Sequence, residues 1–228
     1  MENNVDILLL AAALPPLYLM YRIYKMDQVE REPVGLLVKL MIGGGLITFA
    51  AAMIEGIFSV EAAGLAGQIV ENFLVVALTE ELCKFAVLRF LTWKRPEFNY
   101  TFDGVVYAVA ASLGFALVEN IMYVSAYGMQ VALIRAFTAI VAHGVFGAVM
   151  GSYYGQARKE ACAGRSFASS SLQMKGILMA VILHGFYDFT ASQDSGTYTV
   201  IFLLIVVGMY VITYRRVKTA QANDSTTY

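Results

Sequence analysis

Charge is what this 228-residue chain has least of: 14% of its residues are Asp, Glu, Lys or Arg, while 59% are apolar. Soluble domains carry about 25% charged and 45 to 50% apolar residues, so an ordinary soluble domain is excluded. Sixteen Lys and Arg against 17 Asp and Glu leave a net charge of -1, with no basic surface for a nucleic acid. Cysteine is scarce too. Cys83 in an apolar run and Cys162 in a basic loop exclude a disulfide framework or a zinc ribbon, and both read as free thiols. The His-Glu-x-x-His motif of the zincins is missing, and there is no internal repeat, low-complexity tract or second domain.

What remains is apolar runs long enough to span a bilayer. Seven stand out, at residues 5–23, 34–55, 64–90, 102–124, 130–156, 174–190 and 197–214. The fold expected is therefore all-α, a polytopic transmembrane helical bundle of about seven helices with the lipid bilayer as its solvent. Glu2 and Asp6 stand where a secretory signal would be cationic, so the first run reads as a retained helix. Basic residues alternate strictly between loops. Arg22, Lys25 and Arg31 flank the first, Arg89, Lys94 and Arg95 the third, Arg158, Lys159, Arg165 and Lys175 the fifth, and Arg215, Arg216 and Lys218 follow the last run. The loops around Glu61, Gly128 and Asp194 hold no Lys or Arg, so the positive-inside rule places the N-terminus outside and the C-terminus in the cytoplasm. One transmembrane domain is expected over 1–220 and a polar, disordered tail over 221–228. Gly43-Gly44-Gly45, Gly104, Gly114 and the series Gly147, Gly151, Gly155 offer close helix approach, and Pro15-Pro16 a kink in a helix peripheral to any chemistry.

Among the ionisable residues inside these runs are both histidines and three glutamates, each of which costs at least about 2.5 to 3.5 kcal/mol near the bilayer centre and so marks a functional site. They are Glu80, Glu81, Glu119, His143 and His184. Glu80 and Glu81 project about 100° apart on a helix, so one would face the site and the other be held by a buried pairing, with Lys84 sharing Glu80's face. Glu119 and Asn120 have no basic neighbour within a turn and must meet groups from another helix or a cavity. His184 and Asp188 are four apart, so the carboxylate can orient the imidazole. Counting about 1.5 Å per residue, Glu80, His143 and His184 fall near mid-membrane, and Glu119 and Asp188 nearer the outer face. A cavity open to the outside would gather them. Two chemistries suit such a set. A glutamate can act as general base on water with imidazole assistance, or His143, His184, Glu80 and Glu119 can hold a catalytic zinc. Intramembrane Glu and His also serve proton-coupled transporters, but the paired inverted repeats usual there are not seen. A non-catalytic immunity protein or scaffold is a third reading.

Glu80-Glu81-x-x-Lys84, Phe115-x-x-x-Glu119-Asn120, His143 and His184-x-x-x-Asp188 together resemble the signature of PrsW-type intramembrane proteases. These sit in the superfamily that includes the CAAX prenyl endopeptidases and bacteriocin-processing membrane proteases. The resemblance spans about residues 70–190 and implies a peptidase in the cell membrane. Its implied partner is a single-pass membrane substrate, an anti-sigma factor cut at site 1 near the outer face in a stress response. It matches Glu80, Glu81 and His184 to the family's catalytic positions, and Glu119 and His143 to its further motif residues. Where the prenyl endopeptidase branch has a His and an Asn, this chain has Glu119 and Asp188. The preferred reading requires no cofactor, with zinc as the alternative.

Overall fold

The computed structural model describes residues 2–59 and 64–228, so the expected cation-free loop around Glu61 lies outside the described residues. Described elements are α1 (Glu2–Met26), α2 (Val34–Phe58), α3 (Leu65–Ile69), a π-helical stretch (Val70–Ala77) and α4 (Leu78–Thr92). They continue with α5 (Asp103–Tyr127), α6 (Met129–Phe137), α7 (Ala139–Cys162), α8 (Ser166–Ala191) and α9 (Gly196–Ala222). Because α3, the π-helical stretch and α4 follow without a gap, and α6 leads into α7, these pieces form seven rods, with no strand among the described residues. Among the described residues, six helices are long and apolar enough to cross a membrane. The other rod carries Glu71, Glu80, Glu81, Lys84 and Arg89, the price of bringing the paired carboxylates into the bundle. The protein is a multi-pass membrane helical bundle.

At its centre stands α5, buried on every residue from Asp103 to Ala116 and packed against α1, α2, α4 and α7. Glycine makes this possible. A Cβ on Gly44 would lie 2.0 Å from the Ala111 carbonyl oxygen, one on Gly114 2.0 Å from that of Met41, and one on Gly155 1.9 Å from that of Thr101. Backbone therefore meets backbone along α2–α5 and α5–α7, the close approach that small residues permit when lipid and side chain are equally apolar. The outer helices turn Leu10, Leu14, Leu46, Met53, Leu204 and Val207 outward, where lipid replaces water.

The loops sort into two ends. Gln221 Nε2 donates to the Met26 carbonyl at 2.5 Å, Asn99 Nδ2 to Glu30 at 2.9 Å and Lys159 Nζ to Ser225 Oγ at 2.9 Å, so the basic segments gather at one end. At the other, Gln193 reaches Gln68 at 3.0 Å and Ser59 reaches Glu71 at 3.2 Å.

The structure adds three details to what the sequence led us to expect. The span expected over 130–156 is broken at Thr138 (φ -117°, ψ -79°), whose hydroxyl donates back to the Ile134 carbonyl at 2.9 Å. The span expected over 174–190 begins at Ser166, because a helix extends beyond the apolar run that marks its membrane-buried part. The tail expected to be disordered over 221–228 is docked. Asp224 Oδ1 accepts from the Phe102 N–H at 2.9 Å and Thr101 Oγ1 at 3.0 Å, and the Thr227 N–H donates to the Asn99 carbonyl at 2.8 Å.

Candidate active site

The π-helical stretch widens the rod just before Glu80 and Glu81, a distortion that recurs at functional sites. Lys84 follows one turn later and is 1% exposed. Its ammonium donates to Glu80 Oε2 at 2.8 Å, to Glu81 Oε1 at 2.8 Å and to His143 Nδ1 at 3.0 Å, and lies 4.3 Å from the centre of the Phe115 ring. All three ammonium protons are thereby placed. Sequence spacing had put one carboxylate toward the site and the other in a buried pair. Long side chains at i and i+1 instead converge on one cation, because Lys84 stands four and three residues beyond them. The two still differ: Glu80 lines a cavity, and Glu81, fully buried, stands behind it.

His143 is brought in by α7. Since its Nδ1 accepts from Lys84, its Nε2 carries the proton and donates to Glu119 Oε2 at 2.8 Å. Glu119 gains a cation that its own helix lacks: the break at Thr138 carries Arg135 on α6 to within 3.0 Å of Glu119 Oε2. Arg135 also donates to Asn120 Oδ1 at 2.9 Å. The Asn120 amide in turn donates to the Ala12 carbonyl at 2.9 Å. Pro16 has no N–H with which to close the helical bond to that carbonyl four residues earlier, so the Asn120 amide takes its place. The first helix, expected to be peripheral, thus helps to hold the residue next to Glu119.

On α8, His184 is flanked by carboxylates, Glu81 Oε1 at 2.9 Å from Nδ1 and Asp188 Oδ2 at 3.1 Å from Nε2. Glu80 Oε2 lies 3.8 Å from the same Nε2. Phe146 stacks on the imidazole with centroids 4.7 Å apart, and the two histidine rings stand edge to face at 5.5 Å. Gly185 lets α8 approach the π-helical stretch, because a Cβ there would lie 2.3 Å from the Phe73 ring. Glu80, Glu81, Lys84, Glu119, Asn120, His143, His184 and Asp188 therefore form one connected polar cluster.

A cavity of about 600 Å³ runs from Glu80, His143 and His184 past Glu119 and Asp188 to Glu55 and Ser192, at the end of the bundle away from the basic segments. Sequence reasoning overlooked Glu55, whose place at the end of an apolar run was its only signal. It assigned no role to Arg135, since nothing local foretells the break that turns it toward Glu119.

The geometry is that of a membrane-buried polar chamber built on charged motifs, and comparison with known proteins says which kind. A family model described as PrsW family intramembrane metalloprotease matches residues 32–214. The chain belongs to the PrsW family. Among its relatives, Protease PrsW of Geobacillus kaustophilus is 32% identical over 94% of this chain and 92% of its own length. Protease PrsW of Oceanobacillus iheyensis is 32% identical over 95% and 97%, and that of Bacillus subtilis 30% identical over 78% and 80%. No solved structure matches the chain. Membership makes the protein an intramembrane peptidase, which sets the transporter and scaffold readings aside.

The PrsW description also implies a metal, and the residues test that. The expected zinc set of His143, His184, Glu80 and Glu119 does not converge on one point: His143 is taken up by Glu119 and Lys84, and His184 by Glu81 and Asp188. Glu80, Glu81 and His184 do bring donor atoms within 4.8 Å of one another, and two carboxylates with an imidazole are ligands that a catalytic zinc accepts. Yet the Lys84 ammonium lies 2.8 Å from an oxygen of each glutamate. A divalent ion bridging the pair would stand against that ammonium. With Lys84 in place, this set does not fit a metal.

Proposed function

We propose that this peptidase hydrolyses a peptide bond with water activated by Glu80. The observation that carries the reading is the division between the two glutamates, Glu80 lining the cavity and Glu81 buried behind it on Lys84 and His184. Glu80 takes a proton from a water admitted by the cavity as that water attacks the substrate carbonyl. His184, held by Glu81 and Asp188, donates to the developing oxyanion or passes the proton to the leaving amine. Lys84 fixes both glutamates and the His143 tautomer. Glu119, paired with His143 and Arg135, forms the far wall.

The substrate class proposed is a single-pass membrane protein, an anti-sigma factor, cut at site 1 near the outer face of the cell membrane. The cavity's course toward the cation-poor end supports this, because the positive-inside rule assigns that end to the outside. The test is cleavage of a single-pass substrate by purified protein in lipid vesicles, with and without a chelator. Unchanged cleavage is expected. Loss with the chelator and recovery with added zinc would replace the Glu80 mechanism by a metal-based one.

A further inference from the structure

Far from the chamber, at the end where the basic segments gather, three carboxylates are buried together. Asp27 and Glu32 come from the loop between α1 and α2, and Asp103 is the first residue of α5. They are 2%, 3% and 1% exposed, and each supplies an oxygen within 4.8 Å of those of the other two. Part of this cluster is satisfied by protein. Asp103 Oδ2 accepts from the Asn99 and Tyr100 N–H groups at 3.0 and 2.7 Å, and Glu32 accepts from the Tyr107 hydroxyl. Among the described residues no Lys or Arg forms an ion pair with any of the three. Asp27 also accepts from the backbone N–H groups of Glu30 and Glu32, and Asp103 faces the Glu32 carboxyl, yet one buried oxygen of each aspartate, Asp27 Oδ2 and Asp103 Oδ1, lacks a hydrogen-bond donor. An unpartnered polar atom in so buried a place calls for an ion, a water or a proton, and three carboxylates facing one another without a cation call for positive charge.

We propose that Asp27, Glu32 and Asp103 bind a hard divalent cation, calcium or magnesium. The donor set is all oxygen, which these ions prefer and softer metals do not. The separations suit it as well. Calcium binds oxygen at about 2.3 to 2.6 Å, so donors around one ion lie no more than about 5 Å apart. Binding places the ion among the three carboxylates and ties the α1–α2 loop to the base of the central helix. The site is structural, separate from the intramembrane chamber, and independent of how Glu80 works.

The experiment uses the purified full-length protein in detergent, stripped with a chelator and titrated with terbium, which substitutes for calcium and luminesces when a nearby tyrosine is excited. Tyr107, bonded to Glu32, is the adjacent antenna. Saturable emission is expected, displaced by excess calcium or magnesium, reduced at least tenfold in Glu32→Gln and in Asp27→Asn, and retained in Glu80→Gln. In parallel, calcium or magnesium at about 100 times its dissociation constant should raise the melting temperature of the unaltered protein by about 5 to 10 °C. No emission, emission that neither ion displaces, or emission as strong in both carboxylate variants as in the unaltered protein would overturn the proposal. So would emission lost only in Glu80→Gln, which would place the ion in the chamber. Should a variant fail to fold, displacement and the melting shift on the unaltered protein decide, and indifference to both ions means that the cluster is held by shared protons instead.

Discussion

Lys84→Met is the perturbation that bears most directly on how the chamber is held together. The lysine is the shared donor to Glu80, Glu81 and His143, and it is 1% exposed, so solvent cannot take its place. Removing one partner of a buried ion pair costs about 3 to 5 kcal/mol, chiefly because the charge left behind stays buried and unpaired. Here two carboxylates are left facing an apolar gap. At roughly 2 to 4 °C per kcal/mol for a chain of this size, the melting temperature should fall by about 6 to 20 °C. If uncompensated charge is the cause, taking the carboxylates away as well should restore much of the loss. The assay is thermal unfolding in detergent, followed by circular dichroism, for Lys84→Met, for Glu80→Gln with Glu81→Gln, and for the triple variant. Non-additivity of at least about 1 kcal/mol is expected from groups in one network. A loss in Lys84→Met within the ±0.5 kcal/mol of a surface change, or a triple variant no more stable than Lys84→Met, would refute the reasoning.

Asn120→Ala should cost about 0.6 to 1.7 kcal/mol, the range for hydrogen bonds between membrane helices. Pro16→Ala, nearly neutral alone, should recover part of that loss by restoring the N–H to the Ala12 carbonyl, and equal losses with and without it would contradict the substitution of one bond for the other. A third expectation concerns pH. Burial, with Asp103 nearby, pushes Glu32 up to about 9, and burial with Asp224 nearby pushes Asp27 up to about 6, above their ordinary 4.5 and 3.8. The folded chain holds these protons more tightly than the unfolded one. The stability they contribute is therefore complete below the ordinary carboxylate range and lost as pH rises through about 6 and then about 9. Without divalent ions the melting temperature should decline across that window, and Glu32→Gln should flatten the upper part; a decline unchanged in that variant would assign it elsewhere.

The bundle was legible because lipid demands long apolar runs whatever the packing. The residues of the chamber were legible because charge in such runs is costly enough to be kept only for a reason. Side-chain reach and local breaks were hidden. A 100° separation of Glu80 and Glu81 says where two Cβ atoms point, not that both carboxylates meet one ammonium. Thr138 looks like any β-branched residue, yet the break there is what pairs Arg135 with Glu119. The π-helical stretch has no proline or glycine to announce it, and the Asn120–Ala12 bond needs two distant facts, a missing proline N–H and a facing amide. The tail read as disordered because its residues are polar, while its hydrogen bonds are made to Asn99, Thr101 and Phe102, more than a hundred residues away.

The central claim is that Glu80 activates the water while Glu81 and Lys84 position it. Single-turnover cleavage of a single-pass membrane substrate in lipid vesicles, comparing Glu80→Gln with the unaltered protein at matched folding and substrate binding, tests it most directly. The rate should be lower by about 100-fold to 10,000-fold, as for loss of a general base, in protein that is still folded at the assay temperature. Cleavage within a few-fold of the unaltered rate would contradict it.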